Sequence, residues 1–113
     1  MLIGELSQRT GASPRMLRHY GHQGLLEDKR TAAGHREYST EAVLVVSHIR
    51  TLIHAGLTTE KIRSLLPCIH GPAPTVELCN ETDELLSTEL HNVEHNIKRL
   101  TQQRDTLAGL LAP

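Results

Sequence analysis

Phenylalanine and tryptophan are absent from this 113-residue chain, and tyrosine occurs only twice. Any core must therefore be aliphatic, and so thin a core gains from burial against a second subunit. Cysteine is equally scarce. Cys68 and Cys79 form neither a CxxC pair nor a disulfide framework. No apolar run approaches the roughly 20 residues of a membrane span, and no basic-then-apolar leader opens the chain. No membrane partner is expected, and cytoplasmic residence is the default. The sequence also lacks a nucleophile motif, a phosphate-binding glycine loop, a paired-carboxylate site and HExxH spacing among its eight histidines. Those absences point away from an enzyme.

The net charge of -1 conceals two unlike halves. Residues 1–66 carry nine Lys/Arg against six acids, a balance of +3, whereas residues 67–113 carry three against seven, a balance of −4. A cationic front and an anionic rear suit a protein that presents one face to nucleic acid.

Ile3 to Arg9 predicts a short first helix, with Ile3 and Leu6 on one face, and Gly11 fits the turn after it. Ser13 is a good N-cap and Pro14 a good first helical residue, so a second helix is expected over Pro14–His22, stopping by Gly24. Met16 and Leu17 would face inward, leaving Arg15, Arg18, His19 and His22 outside. Leu25-Leu26 and His35–Tyr38 predict two short strands around a polar tip. Ser39-Thr40-Glu41 predicts the cap of a third helix, with Val43, Leu44, Val46, Ile49, Leu52 and Ile53 at helical spacing up to Gly56. A fourth helix opens at Thr58–Lys61, buries Ile62, Leu65 and Leu66 on one side, and stops at Pro67. This order is that of a winged helix-turn-helix with a small β wing. Most of the histidines are read as surface residues or as facing DNA.

The rear half has a different period. Leu86, Leu90, Val93, Ile97, Leu100, Arg104, Leu107 and Leu111 follow one another in alternating steps of four and three, the a/d seam of a coiled coil. A helix from Val76 to Leu111 would be about 50 Å long at 1.5 Å per residue, too long for the preceding domain to cover. A homodimer through Leu86, Leu90, Val93, Ile97, Leu100, Leu107 and Leu111 is the simplest way to bury that stripe. The expected architecture is mostly α: a winged domain at 1–66, a linker at 67–75 and a coiled-coil dimerisation helix at 76–113.

These pieces resemble the MerR family of bacterial transcriptional regulators. The matching residues are Ile3-Gly4-Glu5-Leu6, Thr10-Gly11, Ser13-Pro14, Leu17-Arg18-His19-Tyr20, Gly24-Leu25-Leu26, Gly34-His35-Arg36-Glu37-Tyr38, and Ala55-Gly56-Leu57 followed by Ile62. The resemblance implies an antiparallel coiled-coil dimer whose winged domains each read half of a pseudo-palindromic promoter site. It implies too that the dimer distorts the promoter spacer, so that RNA polymerase is reached indirectly, through double-stranded promoter DNA. Two positions depart from the family pattern. His19 stands where Tyr or Phe is usual, and Gly21 where an acid is frequent, so operator preference does not carry over.

Arg15 and Arg18 suit bidentate contact with guanine or phosphate, and His19 retains a donor for base or phosphate. Tyr20 either donates to phosphate or packs beneath the wing. Lys29 and Arg30 near the wing tip reach toward backbone or minor groove. His35 and Arg36 at the wing base are phosphate contacts by resemblance, and Tyr38 packs the wing with phosphate contact secondary. No cofactor is expected. Cys79, seven residues before Leu86, is either a small seam residue or, with Cys68, part of a thiol- or metal-responsive site holding a metal ion at Cys79. A protein-interaction adaptor that has lost operator recognition is the remaining alternative.

Overall fold

The structure is a computed structural model that describes residues 1–72 and 76–113. It divides into two compact units, Met1–Leu78 and Cys79–Pro113. The first contains helices α1 (Ile3–Thr10) and α2 (Pro14–His22), strands β1 (Lys29–Arg30) and β2 (Arg36–Glu37), and helices α3 (Ala42–His54) and α4 (Thr59–Leu65). A 3-10 turn at Leu66–Cys68 leads into β3 (Ile69–His70), which pairs antiparallel with β4 (Glu77–Leu78). The second unit is a single helix, α5 (Asn80–Leu111).

Local chemistry sets the helix-turn-helix. Gly11 ends α1 at φ 77°, a left-handed angle that a residue without Cβ adopts without strain, and its N–H reaches Ser7 O at 2.9 Å. The Ser7 hydroxyl then donates to Ala12 O at 2.7 Å, fixing the turn. Ser13 Oγ accepts from Met16 N at 3.2 Å, so α2 is capped where the Ser-Pro pair predicts. At its far end, Leu25 N bonds to Tyr20 O at 2.9 Å and Gly24 N to Gly21 O at 3.1 Å, with Gly24 at φ 74°. That is a Schellman ending, and Leu25 and Tyr20 bury together with it.

The core of the first unit is aliphatic, as the composition requires. Leu6, Ala12, Leu17, Leu26, Val46, Ile49, Leu52, Ile62, Leu65 and Ile69 are buried, joined by both tyrosines.

Several expectations are corrected here. The first wing strand is Lys29–Arg30 rather than Leu25-Leu26, because both leucines are drawn into the core by the helix ending. The second shortens to Arg36–Glu37. Ser39-Thr40-Glu41 provides no side-chain cap for α3, which starts instead from a turn closed by Ala42 N and Ser39 O at 3.1 Å. Along α3, the predicted apolar residues cover more of the circumference than one face can bury. Leu44 and Ile53 are exposed, while Ala42 and His48 take inner positions. His48 is an exception to the reading of most histidines as surface residues: it is buried, with Nε2 2.7 Å from Gly71 O. The segment read as a linker holds the 3-10 turn and β3, and the first unit extends to Leu78. Residues 73–75 of that predicted linker lie outside the described residues. The last helix starts at Asn80, not Val76, and its 32 residues span about 48 Å at 1.5 Å per residue.

The predicted a/d positions of α5 do share a stripe. Leu90, Val93, Ile97, Leu100, Leu107 and Leu111 are all exposed on this single chain, and Leu110 is exposed beside them. Arg104 is exposed and pairs with its neighbour Asp105 at 3.1 Å. Cys79 occupies the N-cap of α5 in extended backbone, with Sγ 3.2 Å from Thr82 Oγ1. It thus stands immediately before the helix that carries the heptad register.

Candidate nucleic-acid interface

Helix α2 exposes the side on which charge and imidazole recur every three or four residues. Arg15, Arg18, His19 and His22 surround a shallow concavity of about 510 Å³, and Met16 is part of its wall. Met16 is 41% exposed, contrary to expectation. The buried stripe is made by Leu17 and Tyr20, and Met16 lies about 100° round the helix from Leu17. This face thus carries one apolar group among arginine and histidine side chains, a group of the kind that can meet a thymine methyl in a DNA groove.

A second groove, of about 600 Å³, runs between α1, α2 and the wing. Its lining holds the guanidinium groups of Arg18 from α2 and of Arg30 and Arg36 from the wing, with His35, and also one acid, Glu5 of α1, which pairs with Arg9 at 2.9 Å; Leu2, Ile3, Gly4 and Gly34 complete it. The N-cap of α1 is Leu2, which supplies no side-chain acceptor, so the first amides of α1 border this groove without a cap. Uncapped amides and three guanidinium groups against one carboxylate, already paired with Arg9, favour anions.

The wing itself is short. Lys29 stands opposite Glu37, and Arg30 opposite Arg36. Thr31 closes the tip, with Thr31 N bonding to His35 O at 2.8 Å and Gly34 N to Thr31 O at 2.9 Å. Arg30 folds onto this tip, donating from Nη1 to Gly34 O at 2.9 Å, so its guanidinium lies along the wing rather than reaching beyond it. Met1 N donates to Tyr38 O and Tyr38 N to Met1 O, both at 2.7 Å, adding the chain start to the wing's inner edge.

Arg36 is the joint between wing and helix. Its Nε lies 3.6 Å from Asp28 Oδ2, its Nη2 lies 3.3 Å from His22 Nε2, and its buried Nη1 has no hydrogen-bond partner among the described residues. Gly21 lies beside this arrangement, where a Cβ would make only ordinary contact with Arg36 Nη1 at 3.8 Å.

Arg15, Arg18, His19, Arg30 and His35 are therefore exposed on or beside one face, with Arg36 half-buried at its base, whereas Lys29 is exposed but lines a separate concavity with Glu27, Asp28 and Glu37. Tyr20 and Tyr38 are not. They are 2% and 3% exposed, their hydroxyls are buried, and neither has a hydrogen-bond partner among the described residues. A phosphate contact from either is corrected to a packing role. Burial pushes the Tyr20 phenol above its ordinary pKa, opposed by the charge of Arg50. His22 and Asp28 were missed as site residues, although Arg18 and His22 stand four apart on a helix, where side chains share a face. No sequence signal marked Asp28.

The match to known proteins follows this geometry. Residues 1–67 match the model of the MerR HTH family regulatory proteins. The chain belongs to the MerR family. That family consists of regulators rather than enzymes. The nodulation protein NolA of Bradyrhizobium elkanii is 37% identical over 109 residues, covering 96% of this chain and 45% of NolA. The chain thus spans less than half the length of that relative. Among solved structures, the N-terminal part of the Bacillus subtilis multidrug transporter activator, MtaN, superposes with a TM-score of 0.78 at 20% identity, covering 100% of this chain and 99% of that one. HiNmlR, a MerR family regulator lacking the sensor domain and solved bound to promoter DNA, superposes with a TM-score of 0.60 at 23% identity, covering 97% and 86%.

Among the described residues, no group of three or more His, Cys, Asp or Glu side chains is placed to hold a metal ion. Nor, among those residues, is any helix long and apolar enough to cross a membrane.

Proposed function

We propose that this protein binds double-stranded promoter DNA as a homodimer and regulates transcription in the cytoplasm. The observation that carries the reading is the groove between α1, α2 and the wing, where Arg18, Arg30 and Arg36, with His35, outnumber the single acid Glu5. In this reading α2 enters the major groove, where Arg15, Arg18 and His19 meet base edges, while Arg30, His35 and Arg36 take the neighbouring phosphates. Arg30 opposite Arg36 is a like-charge pair that costs a two-stranded wing stability. A polyanion removes that cost. The promoter-bound state of HiNmlR, which shares this fold, supports the same partner.

Two copies joined through the α5 stripe would present two such faces to one duplex, matching a pseudo-palindromic site. Binding that distorts the promoter spacer would then act on RNA polymerase through the DNA rather than by direct contact. The test is selection of duplexes from a random pool, followed by affinity for the selected and scrambled duplexes at physiological salt. The reading expects a selected site with two-fold symmetry and a specific shift below micromolar protein. No specific shift in that range overturns operator recognition and favours an adaptor.

A further inference from the structure

The recognition helix is held at its C-terminal end by a residue of another helix. The Schellman ending of α2 satisfies the carbonyls of Tyr20 and Gly21 but not that of Gln23, its C-cap. Arg63, from α4, occupies that acceptor. Its Nε donates to Gln23 O at 3.0 Å and its Nη2 donates to the same oxygen. The side chain of Gln23 is tied to α4 as well, with Nε2 donating to Thr59 Oγ1 at 3.1 Å. Thr59 opens α4, next to its capping residue Thr58, whose Oγ1 accepts from Lys61 N at 3.3 Å. Gln23 is thus gripped through main chain and side chain by the one helix.

We infer that Arg63 is a positioning residue for DNA reading: by clamping the Gln23 carbonyl it sets the angle at which α2 meets the duplex, without touching DNA itself. Three features support this beyond ordinary surface pairing. A guanidinium offers a rigid planar fork, so two N–H groups on one oxygen fix direction as well as distance. A cation at a helix C-terminus also meets the negative end of the helix dipole, which strengthens the hold. Finally, the Gln23 side chain is tied to the same helix through Thr59 Oγ1 at 3.1 Å, so the guanidinium does not act on an otherwise loose residue. Without the clamp, α2 keeps its capped N-terminus, the burial of Leu17 and Tyr20 and the single contacts of His22 with Arg36 and Gln23 with Thr59, and it gains freedom to tilt. Base-edge contacts tolerate little tilt, whereas phosphate attraction tolerates a good deal. Loss of the clamp should therefore reduce selectivity more than affinity.

The inference rests on the proposed DNA-binding reading, and one experiment separates their failures. The full-length chain and its Arg63→Met variant are titrated with the duplex selected by the unaltered protein and with a scrambled duplex, across a salt series. If the unaltered protein shows no preference, the DNA-binding reading fails and the clamp goes with it. Given a preference, Arg63→Met is expected to lower the selected-to-scrambled affinity ratio roughly ten-fold, the scale of a lost hydrogen bond to a charged group, and to leave the salt slope unchanged. Arg63→Lys, which keeps one donor, should restore part of the ratio. Equal loss on both duplexes with the salt slope reduced by about one makes Arg63 a phosphate contact and overturns the proposal. So does an unchanged ratio. Should Arg63→Met fail to fold, Thr59→Val, which removes only the Gln23 side-chain bond, is expected to lower the ratio in the same direction, and an unaltered ratio there overturns it.

Discussion

Arg36 in the wing and His22 at the end of the recognition helix lie 3.3 Å apart, Nη2 to Nε2, with Asp28 3.6 Å from Nε on the other side of the guanidinium. The wing is therefore tied to α2 through a cation that also lines the groove between them. Only a fifth or so of the Arg36 and Asp28 side chains is exposed, 17% and 22%, so the pair is poorly screened by solvent. A two-residue strand pair has little stability of its own. This polar joint, with the Met1–Tyr38 exchange, holds the wing in place.

Arg18 and Arg36 should fail differently when removed. Arg18→Ala is expected to weaken binding to the selected operator by about 1–3 kcal/mol and to relax preference at one base position. Arg36→Ala should weaken binding across sequences alike and lower the salt slope by about one, as loss of a phosphate contact does. Fluorescence anisotropy over a salt series distinguishes them. Intact operator affinity in Arg18→Ala removes α2 from the major groove.

The Tyr20 hydroxyl is buried without a hydrogen-bond partner among the described residues, so removing it should not hurt. Tyr20→Phe is expected to leave thermal stability level or raise it by up to about 1 kcal/mol, with operator affinity unaltered. Burial raises the folded-state pKa of this phenol, so the folded protein holds its proton where the unfolded chain has begun to lose it. Stability is therefore full below the ordinary value of about 10 and falls as pH rises past it. The phenylalanine variant should lose part of that alkaline slope in denaturant melts at increasing pH. A large drop in DNA affinity would return Tyr20 to the interface.

Ile97, 57% exposed in the middle of the α5 stripe, is the most direct probe of self-association. Ile97→Asp would set a carboxylate into an apolar seam, and the variant should sediment as a monomer with much reduced operator affinity. Val93→Asp should do the same. A dimer that persists in both variants would place the interface elsewhere.

Cys79 caps α5 but its side chain makes no cap hydrogen bond to the backbone. Serine is among the best residues at that position, so Cys79→Ser should hold or raise helix stability by up to about 1 kcal/mol, read from thermal melts. As a capping residue it should also leave transcriptional output in metals or oxidants unchanged. Loss of a response in the serine variant would establish the thiol as a sensor.

Much of this protein was readable in one dimension. The Ser13-Pro14 start of α2, the glycine after α1 and the four-three stripe of α5 are local signals, set by backbone preference and by spacing along a single helix. Arg15, Arg18 and His19 were legible as an outer face for the same reason. What needed the folded chain depends on residues far apart in sequence. Met16 faces out because Leu17 and Tyr20 occupy the core side. The tyrosine hydroxyls are inside, and His48 is buried against Gly71, 23 residues away. Arg36 acquires Asp28 and His22 only once the wing folds back on α2, and Arg63 meets Gln23 across 40 residues. Periodicity reports which side of an element is apolar; which polar groups then meet, and which end up without water, is decided by how the elements pack.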